Sequence, residues 1–534
     1  MNPIQTDSRE RIQELEKERL STAFVDSPLV AYPIGTSRGI YLVWEDDRVA
    51  TSLVVFNYWK LRNGPNPRLR ITVFSETGEI LAVEDATFGE KTLAREIPLR
   101  RMLEQRGIPL PFRGSVWLEA SSSGIDFAHI GCVVQYRTSS ALTQVHTSHW
   151  SGDDKRPYIQ DQHVPVWCGG SERSFVYFPN GHQEAAGEMS CTLINARGER
   201  RAEIVSVGLK PFATFFRFID DLFPAAAEFL GGAPGWLQVD VRCAGVNRRA
   251  FVGMYDESAR RIAAEHTTGY VYLPTQAPKY PVYWASPWPD AASADLDVYV
   301  HIPVSLDGTL RYFGAQGILG SVRFSSPQLP EYRCIPVGQL CPVEHSRRTE
   351  ITHVEMIFDG LGCIPNLVSV WSRDGKPVCF SNLGTTAMKA APTAVDHLRR
   401  QAKALLRGVL VRLGLKAPLP KQKIKRLPSK WAPLLGGAGF DHSFLAIHSQ
   451  GQEDLVLKLK IYYESGDESK EGTYRIPAGT SRAISVDELC PNEAVRGKTG
   501  YLYAEVLAGA GPMDEYYYYG VEKNTRNFYC DHAF

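Results

Sequence analysis

The chain contains no run of about 18 consecutive apolar residues, the length a helix needs to cross a bilayer. Its first twenty residues, rich in Glu and Arg, hold no apolar core of the kind a secretory signal requires. Cysteine is sparse, with ten in 534 residues, and no two stand in a CxxC pair. That spacing argues against a zinc site. Without export it predicts reduced thiols in the cytoplasm, with no metal and no cofactor. Net charge is absent too, because 59 Lys and Arg balance 59 Asp and Glu. Any attraction to a membrane or a nucleic acid must therefore come from local clustering. No GxSxG elbow, P-loop, HExxH or Rossmann fingerprint occurs. Asp85, Asp240 and Glu355 lie in strand-like segments but form no evident pair, whereas a glycosidase needs two carboxylates close together. The expectation is a non-catalytic protein. The alternative is a carbohydrate-active enzyme with a diverged site in one copy of the repeat described next.

What the chain does have is enough apolar sequence for large cores, 44% hydrophobic against 22% charged, and an internal repeat. A signature recurs as Arg95-Glu-Ile97-Pro-Leu99, Arg333-Cys-Ile335-Pro-Val337 and Arg482-Ala-Ile484-Ser-Val486, with a looser copy at Phe218-Ile-Asp-Asp-Leu222. Apolar residues two apart predict a half-buried strand. About 40 residues upstream of each signature stands an apolar strand: Leu53–Phe56, Phe175–Phe178, Val298–Val300 and Phe444–Ile447. Downstream follows a glycine-led strand such as Gly114–Leu118, Gly235–Val239 or Gly500–Tyr503. Short alternating strands between turn residues predict an all-β chain of four tandem antiparallel β-sandwich domains. The boundaries fall at 31–150, 151–272, 273–388 and 437–534, after an N-terminal helical arm over 1–30.

Segment 389–436 interrupts the repeat. Val395, Leu398, Ala402, Leu405, Val409 and Leu413 lie at helical spacing, with Thr393 and Asp396 as a capping box and Gly414 as the C-cap. From His397 to Lys430 stand eleven Lys and Arg and no acid. A basic amphipathic helix over 394–413 is predicted. Arg399, Arg400, Lys403 and Arg407 are its candidates for contact with an anionic surface, either a membrane or an acidic partner. Nucleic acid is the less favoured partner, and a solvated helix docked on a neighbouring domain is the simplest reading.

The last copy resembles the sensory rhodopsin transducer family of small prokaryotic β-sandwich domains. The likeness rests on Asp441-His442-Ser443-Phe444, Leu457 through Tyr463, Gly472-Thr-Tyr474-Arg-Ile-Pro477-Ala478, and Arg482 with Asp487-Glu-Leu489. The family's Ser-His-Glu start stands here as Asp441-His442-Ser443. The resemblance implies an antiparallel sandwich that binds a small molecule, such as a sugar, or serves in a signalling assembly; the expected partners are a small polar ligand, a protein partner or a second copy in a homo-oligomer. Candidate ligand residues are His442, His448, Arg482 and His532, with Tyr517 and Tyr519 from the run Tyr516–Tyr519. On a strand two of those four tyrosines face outward, and an exposed tyrosine pair suits stacking on a sugar.

Overall fold

The computed structural model describes residues 34–387 and 429–533 apart from short stretches between elements, 124–130, 147–158, 273–279 and 491–498 among them. The arm over 1–30 and the basic helix with Arg399, Arg400, Lys403 and Arg407 lie outside the described residues.

Strands dominate, and every pairing between them is antiparallel among the described residues. Eight strands open the fold: β1 (Ile34–Glu45), β2 (Ala50–Phe56), β3 (Arg68–Ser75), β4 (Ile80–Thr87), β5 (Ala94–Pro98), β6 (Phe112–Ser123), β7 (Gly131–Arg137) and β8 (Leu142–His146). They form two sheets, ordered β1-β6-β3-β4 and β5-β2-β7-β8. A helix, α1 (Leu99–Gln105), follows β5.

The same order recurs three times. In the second unit the places of β1 to β8 fall to Ile159–Val166, Glu172–Pro179, Ala185–Ile194, Arg200–Leu209, Thr214–Phe218, Gly235–Cys243, Phe251–Asp256 and Arg261–His266. In the third they fall to Tyr280–Pro287, Asp295–His301, Leu306–Gly314, Gly317–Ser326, Tyr332–Ile335, Ile351–Leu361, Asn366–Arg373 and Lys376–Ser381. In the fourth they are Ser429–Leu434, Phe440–His448, Leu455–Tyr463, Lys470–Ile476, Thr480–Ser485, Gly500–Ala508, Glu515–Glu522 and Phe528–His532.

Alternation explains these strands. Along Leu455–Tyr463 the residues Leu455, Leu457, Leu459, Ile461 and Tyr463 are buried, while Val456, Lys458, Lys460 and Tyr462 are only half-buried on the other face. The two sheets of the second unit enclose one apolar core, in which Val164 and Leu237 meet Val176 and Val252. In the fourth unit Leu457 and Val506 meet Phe444 and Tyr518 in the same way.

Three details depart from the sequence expectation. The signature is a strand followed by a helical turn: Thr480–Ser485 ends where Val486–Leu489 begins, and the Ser485 hydroxyl accepts from the Asp487 N–H at 3.1 Å, a side-chain cap. Strand Ser429–Leu434 begins the fourth unit inside the segment read as connector, so Lys430 belongs to a sheet and reaches the Ala533 carbonyl at 3.4 Å. Strand Val271–Tyr272, read as the end of the second unit, pairs with Cys363–Ile364 of the third.

The units meet head to tail. Trp44 of β1 packs on Phe175 and Phe216 of the second unit at 5.5 and 5.6 Å. Trp236 of the second unit packs on Tyr299 and Tyr332 of the third at 5.9 and 5.4 Å. The Ser481 hydroxyl of the fourth unit lies 3.3 Å from His353 Nδ1 of the third. Tyr501 of the fourth then stacks on Phe56 of β2 at 4.5 Å and donates its hydroxyl to the Val54 carbonyl at 2.6 Å. In each case the outer face of the sheet holding the β1 and β6 places meets the outer face of the next unit's other sheet. Such heterologous contacts close into a ring when the rotation permits, and here the fourth contact returns to the first unit. The strands in the β8 place meet in the middle, where Gln144 Oε1 accepts from the Tyr518 and Tyr529 hydroxyls at 2.9 and 3.0 Å.

Candidate functional site

Where β4 and β5 form the edges of facing sheets, the first unit opens. Helix α1 closes one side of the opening. Leu99, Met102 and Leu103 lie on its buried face at helical spacing, while Arg101 and Gln105 stay at the surface. Arg100 anchors the helix, because its Nε donates to Glu45 Oε2 at 2.9 Å and its guanidinium also reaches the Asp46 and Val49 carbonyls. Burial holds the Glu45 carboxyl above the usual range, against the Thr51 N–H and Arg100, which favour its charged form.

The result is a cleft of about 380 Å³. Its walls are Ala82, Val83 and Glu84 of β4, Arg95, Glu96, Ile97 and Pro98 of β5, and Arg101, Met102, Gln105 and Arg106. Arg95 spends one N–H on the Thr87 carbonyl at 2.5 Å. Glu96 is engaged elsewhere, since its Oε2 accepts from Thr499 Oγ1 of the fourth unit at 2.7 Å and its N–H donates to Glu464 at 3.0 Å. Arg101, Arg106 and Glu84 form no ion pair among the described residues.

The same ladder place behaves differently in each unit. Arg95, Arg333 and Arg482 stand opposite Val55, Val300 and Ala446, and Phe215 stands opposite Phe178. Arg333 turns inward to the Ile302 and Val304 carbonyls and is buried. Arg482 pairs with Glu488 at 2.5 Å and lies over the Tyr474 ring at 4.9 Å. Phe215 stacks on Phe178 at 4.8 Å. Only in the first unit does this place line the cleft.

The remaining residues singled out from sequence do not converge. Buried His448 is clamped between Asp514 Oδ1 at 2.7 Å and the Glu453 carbonyl at 2.6 Å, so both ring nitrogens serve the fold. His442 is half-buried with its ring 6.1 Å from Phe440. His532 pairs through its backbone with Tyr517, and its side chain is outside the described residues. The tyrosine run offers no stacking pair: Tyr516, Tyr517 and Tyr518 are buried, and Tyr519 is half-buried against the Phe528 ring at 6.2 Å. The expectation of two outward tyrosines fails because the outer face of this strand is covered by the third unit, whose core cluster takes in Tyr517. Arg101 and Arg106 were not legible as site residues. Their signal is a substitution within the repeat, since Arg100-Arg101 stands where the other helical turns carry Asp220-Asp221 and Asp487-Glu488.

Among the described residues no three His, Cys, Asp or Glu side chains are grouped to hold a metal ion, and no helix is long and apolar enough to cross a membrane. The nine cysteines whose side chains are described are free thiols.

No family model matches the chain, and no curated protein matches it. Among solved structures, the native conformation of the E. coli alpha-2-macroglobulin aligns over 93% of this chain at 8% identity with a TM-score of 0.13, and this chain spans 28% of that one. A tetra-tandem repeat from the extending region of a large adhesion protein aligns over 93% of this chain and 98% of its own at 9% identity, with a TM-score of 0.09. Likeness at these scores carries no argument about fold or function.

Proposed function

We propose that the chain is a non-catalytic binding protein made of four tandem β-sandwich domains joined in a ring, with its ligand site in the cleft between β4, β5 and α1. The observation that carries this reading is the cleft itself: a concave site with apolar floor residues Ile97 and Met102 and with Glu84, Arg101 and Arg106, which form no ion pair among the described residues. The ring supports it, because a site placed on strands and braced by two neighbouring units keeps its shape before a ligand arrives. Likeness of the last unit to the sensory rhodopsin transducer family points the same way, toward small-molecule binding or a signalling assembly. Buried free thiols such as Cys132, Cys191 and Cys530 suit a reducing, cytoplasmic setting. The basic segment 394–426, short of Lys430 in the sheet, would add contact with an anionic surface.

The test uses the full chain and thermal shift against a panel of sugars, sugar acids and nucleotides. Val83 lines the cleft and is 41% exposed, so Val83→Trp fills the opening without touching a core. Saturable stabilisation by a panel member that disappears in Val83→Trp is the expected result. A ligand that binds Val83→Trp as well as the parent would place the site elsewhere.

A further inference from the structure

We infer that the cleft of the first unit takes a small molecule bearing a carboxylate or phosphate on a hydroxyl-rich body; this rests on the binding reading above and names its ligand class.

The argument begins with charge placement. The first turn of a helix favours acids and disfavours cations, because unpaired N–H groups concentrate positive charge there. The second and fourth units follow that rule with Asp220-Asp221 and Asp487-Glu488. Those acids are also consumed within the fold: Asp220 and Asp221 hold Arg173 at 2.8 and 3.2 Å, and Glu488 holds Arg482. The first unit reverses the sign with Arg100-Arg101. Arg100 is compensated by buried Glu45, and Arg101 is not compensated among the described residues. A local rule broken without local compensation marks a place where something other than folding set the residue.

The surplus then points into one space. Arg101 and Arg106 reach the cleft from α1 and its end, and Arg95 from β5. Glu84 and Glu96 are the acids in the cleft walls, and Glu96 keeps its charge while it accepts from Thr499, so Arg95, Arg101 and Arg106 outnumber the carboxylates there. Guanidinium forks match the two oxygens of a carboxylate or phosphate and bind them with paired, charge-assisted hydrogen bonds. Glu84 and Gln105 supply acceptors for hydroxyl groups, and Ile97 with Met102 supplies an apolar surface for a C–H face. A volume of about 380 Å³ lies near the small end of ligand sites, room for one ring-sized molecule and not a polymer.

The experiment titrates the full chain with four probes by calorimetry: glucuronate, glucose 6-phosphate, inorganic phosphate and glucose. The parent should bind glucuronate or glucose 6-phosphate saturably, phosphate more weakly and glucose not at all. Binding to glucuronate alone assigns a carboxylate and binding to glucose 6-phosphate alone a phosphate, and either upholds the inference. Arg101→Gln with Arg106→Gln changes two exposed side chains, so folding is spared. It should lower affinity by roughly tenfold or more, the scale of lost charge-assisted bonds. Raising salt should weaken the parent and barely affect this variant. If glucose binds as well as glucuronate and the double variant matches the parent, the ligand-class inference falls while the binding site stands. If none of the four binds and no uncharged panel member does either, both fall.

Discussion

Tyr501 is the residue on which closure of the ring can be tested. It lies in the fourth unit, is fully buried, stacks on Phe56 and bonds the carbonyl of Val54, 447 residues away in sequence. Consider Tyr501→Ala. Burying a tyrosine ring removes roughly 150–200 Å² from water, worth about 4 kcal/mol at ~25 cal/mol per Å². Stacking adds about 1 kcal/mol and the hydroxyl bond about 1 kcal/mol. Relaxation of the seam returns part of this, so a loss of about 4 kcal/mol is expected, in the range of aromatic-to-alanine changes in cores. Tyr501→Phe keeps the ring and should lose only about 1 kcal/mol. Urea unfolding followed by circular dichroism measures the cost, and small-angle X-ray scattering reads the geometry. A seam that closes the ring predicts that Tyr501→Ala unfolds in two separated steps and expands before the units melt. Were Tyr501→Ala to cost under about 1 kcal/mol and leave both the transition and the radius of gyration unchanged, the contact between the first and last units would not hold the molecule together.

Two further outcomes follow. Between the second and third units the rings of His163 and His301 lie 3.5 Å apart, and Tyr332 bonds His163 at 3.0 Å. Burial pushes His163 down to about 2 and His301 to about 4, below the ordinary histidine value near 6.5. The folded state therefore binds fewer protons than the unfolded one, so stability is full above about pH 6.5 and falls as pH drops from there toward 4, by about 1.4 kcal/mol per pH unit for each histidine. Burial raises Asp297 to about 6, which opposes part of this loss below that pH. The pair's share is the difference in slope between the parent and His163→Gln with His301→Gln, expected at about 2–3 kcal/mol per pH unit between pH 6.5 and 4; parallel curves would show that the pair does not titrate with unfolding. At the next interface, Glu355 is buried with neither carboxylate oxygen hydrogen-bonded among the described residues, and its Oε1 lies 3.7 Å from Nε2 of buried His353. Replacing both members of a buried polar pair with apolar side chains of similar size removes their desolvation penalty, so Glu355→Met with His353→Leu should stabilise by about 1–3 kcal/mol in urea melts; a loss of that size would reveal a net bonding role for the pair.

The strands were legible because their alternation is local. Leu455, Leu457, Leu459 and Ile461 announce a buried face from spacing alone, and the upstream apolar strands and glycine-led strands lie where the sequence repeat set them. The covering of outer faces was not legible. Tyr516–Tyr519 reads as a half-exposed strand because period-two alternation says which residues share a face and not whether a second unit lies on it. His448 read as a ligand residue because its partners Asp514 and Glu453 come from other segments, with no fixed spacing to betray them. The cleft was half legible. The signature singled out the arginine place through Arg482, yet in that copy Glu488 neutralises the charge. The open copy carries Arg95, and reading it as a site requires the helix beyond the strand, where the repeat changes sign.

That change of sign has a general cause. A ring of four identical subunits repeats every site four times, so a substitution that opens one cleft opens all of them, and one that weakens one interface weakens all four. Joining the units in one chain removes the constraint. The interface place next to the leading glycine or its equivalent in the β6 strand is Ser115, Trp236, His353 and Tyr501 in turn, each buried and each meeting a different partner. Trp236 and Tyr501 meet their neighbours through aromatic rings, whereas the third interface carries the polar His353 and Glu355. The same division holds at the outer edge. Arg333 and Arg482 are committed to backbone carbonyls and to Glu488, and Phe215 is packed, so three units spend this place on folding. The first unit can then leave Arg101 and Arg106 without an ion pair among the described residues, because the equivalent place in the other three units is already engaged in folding.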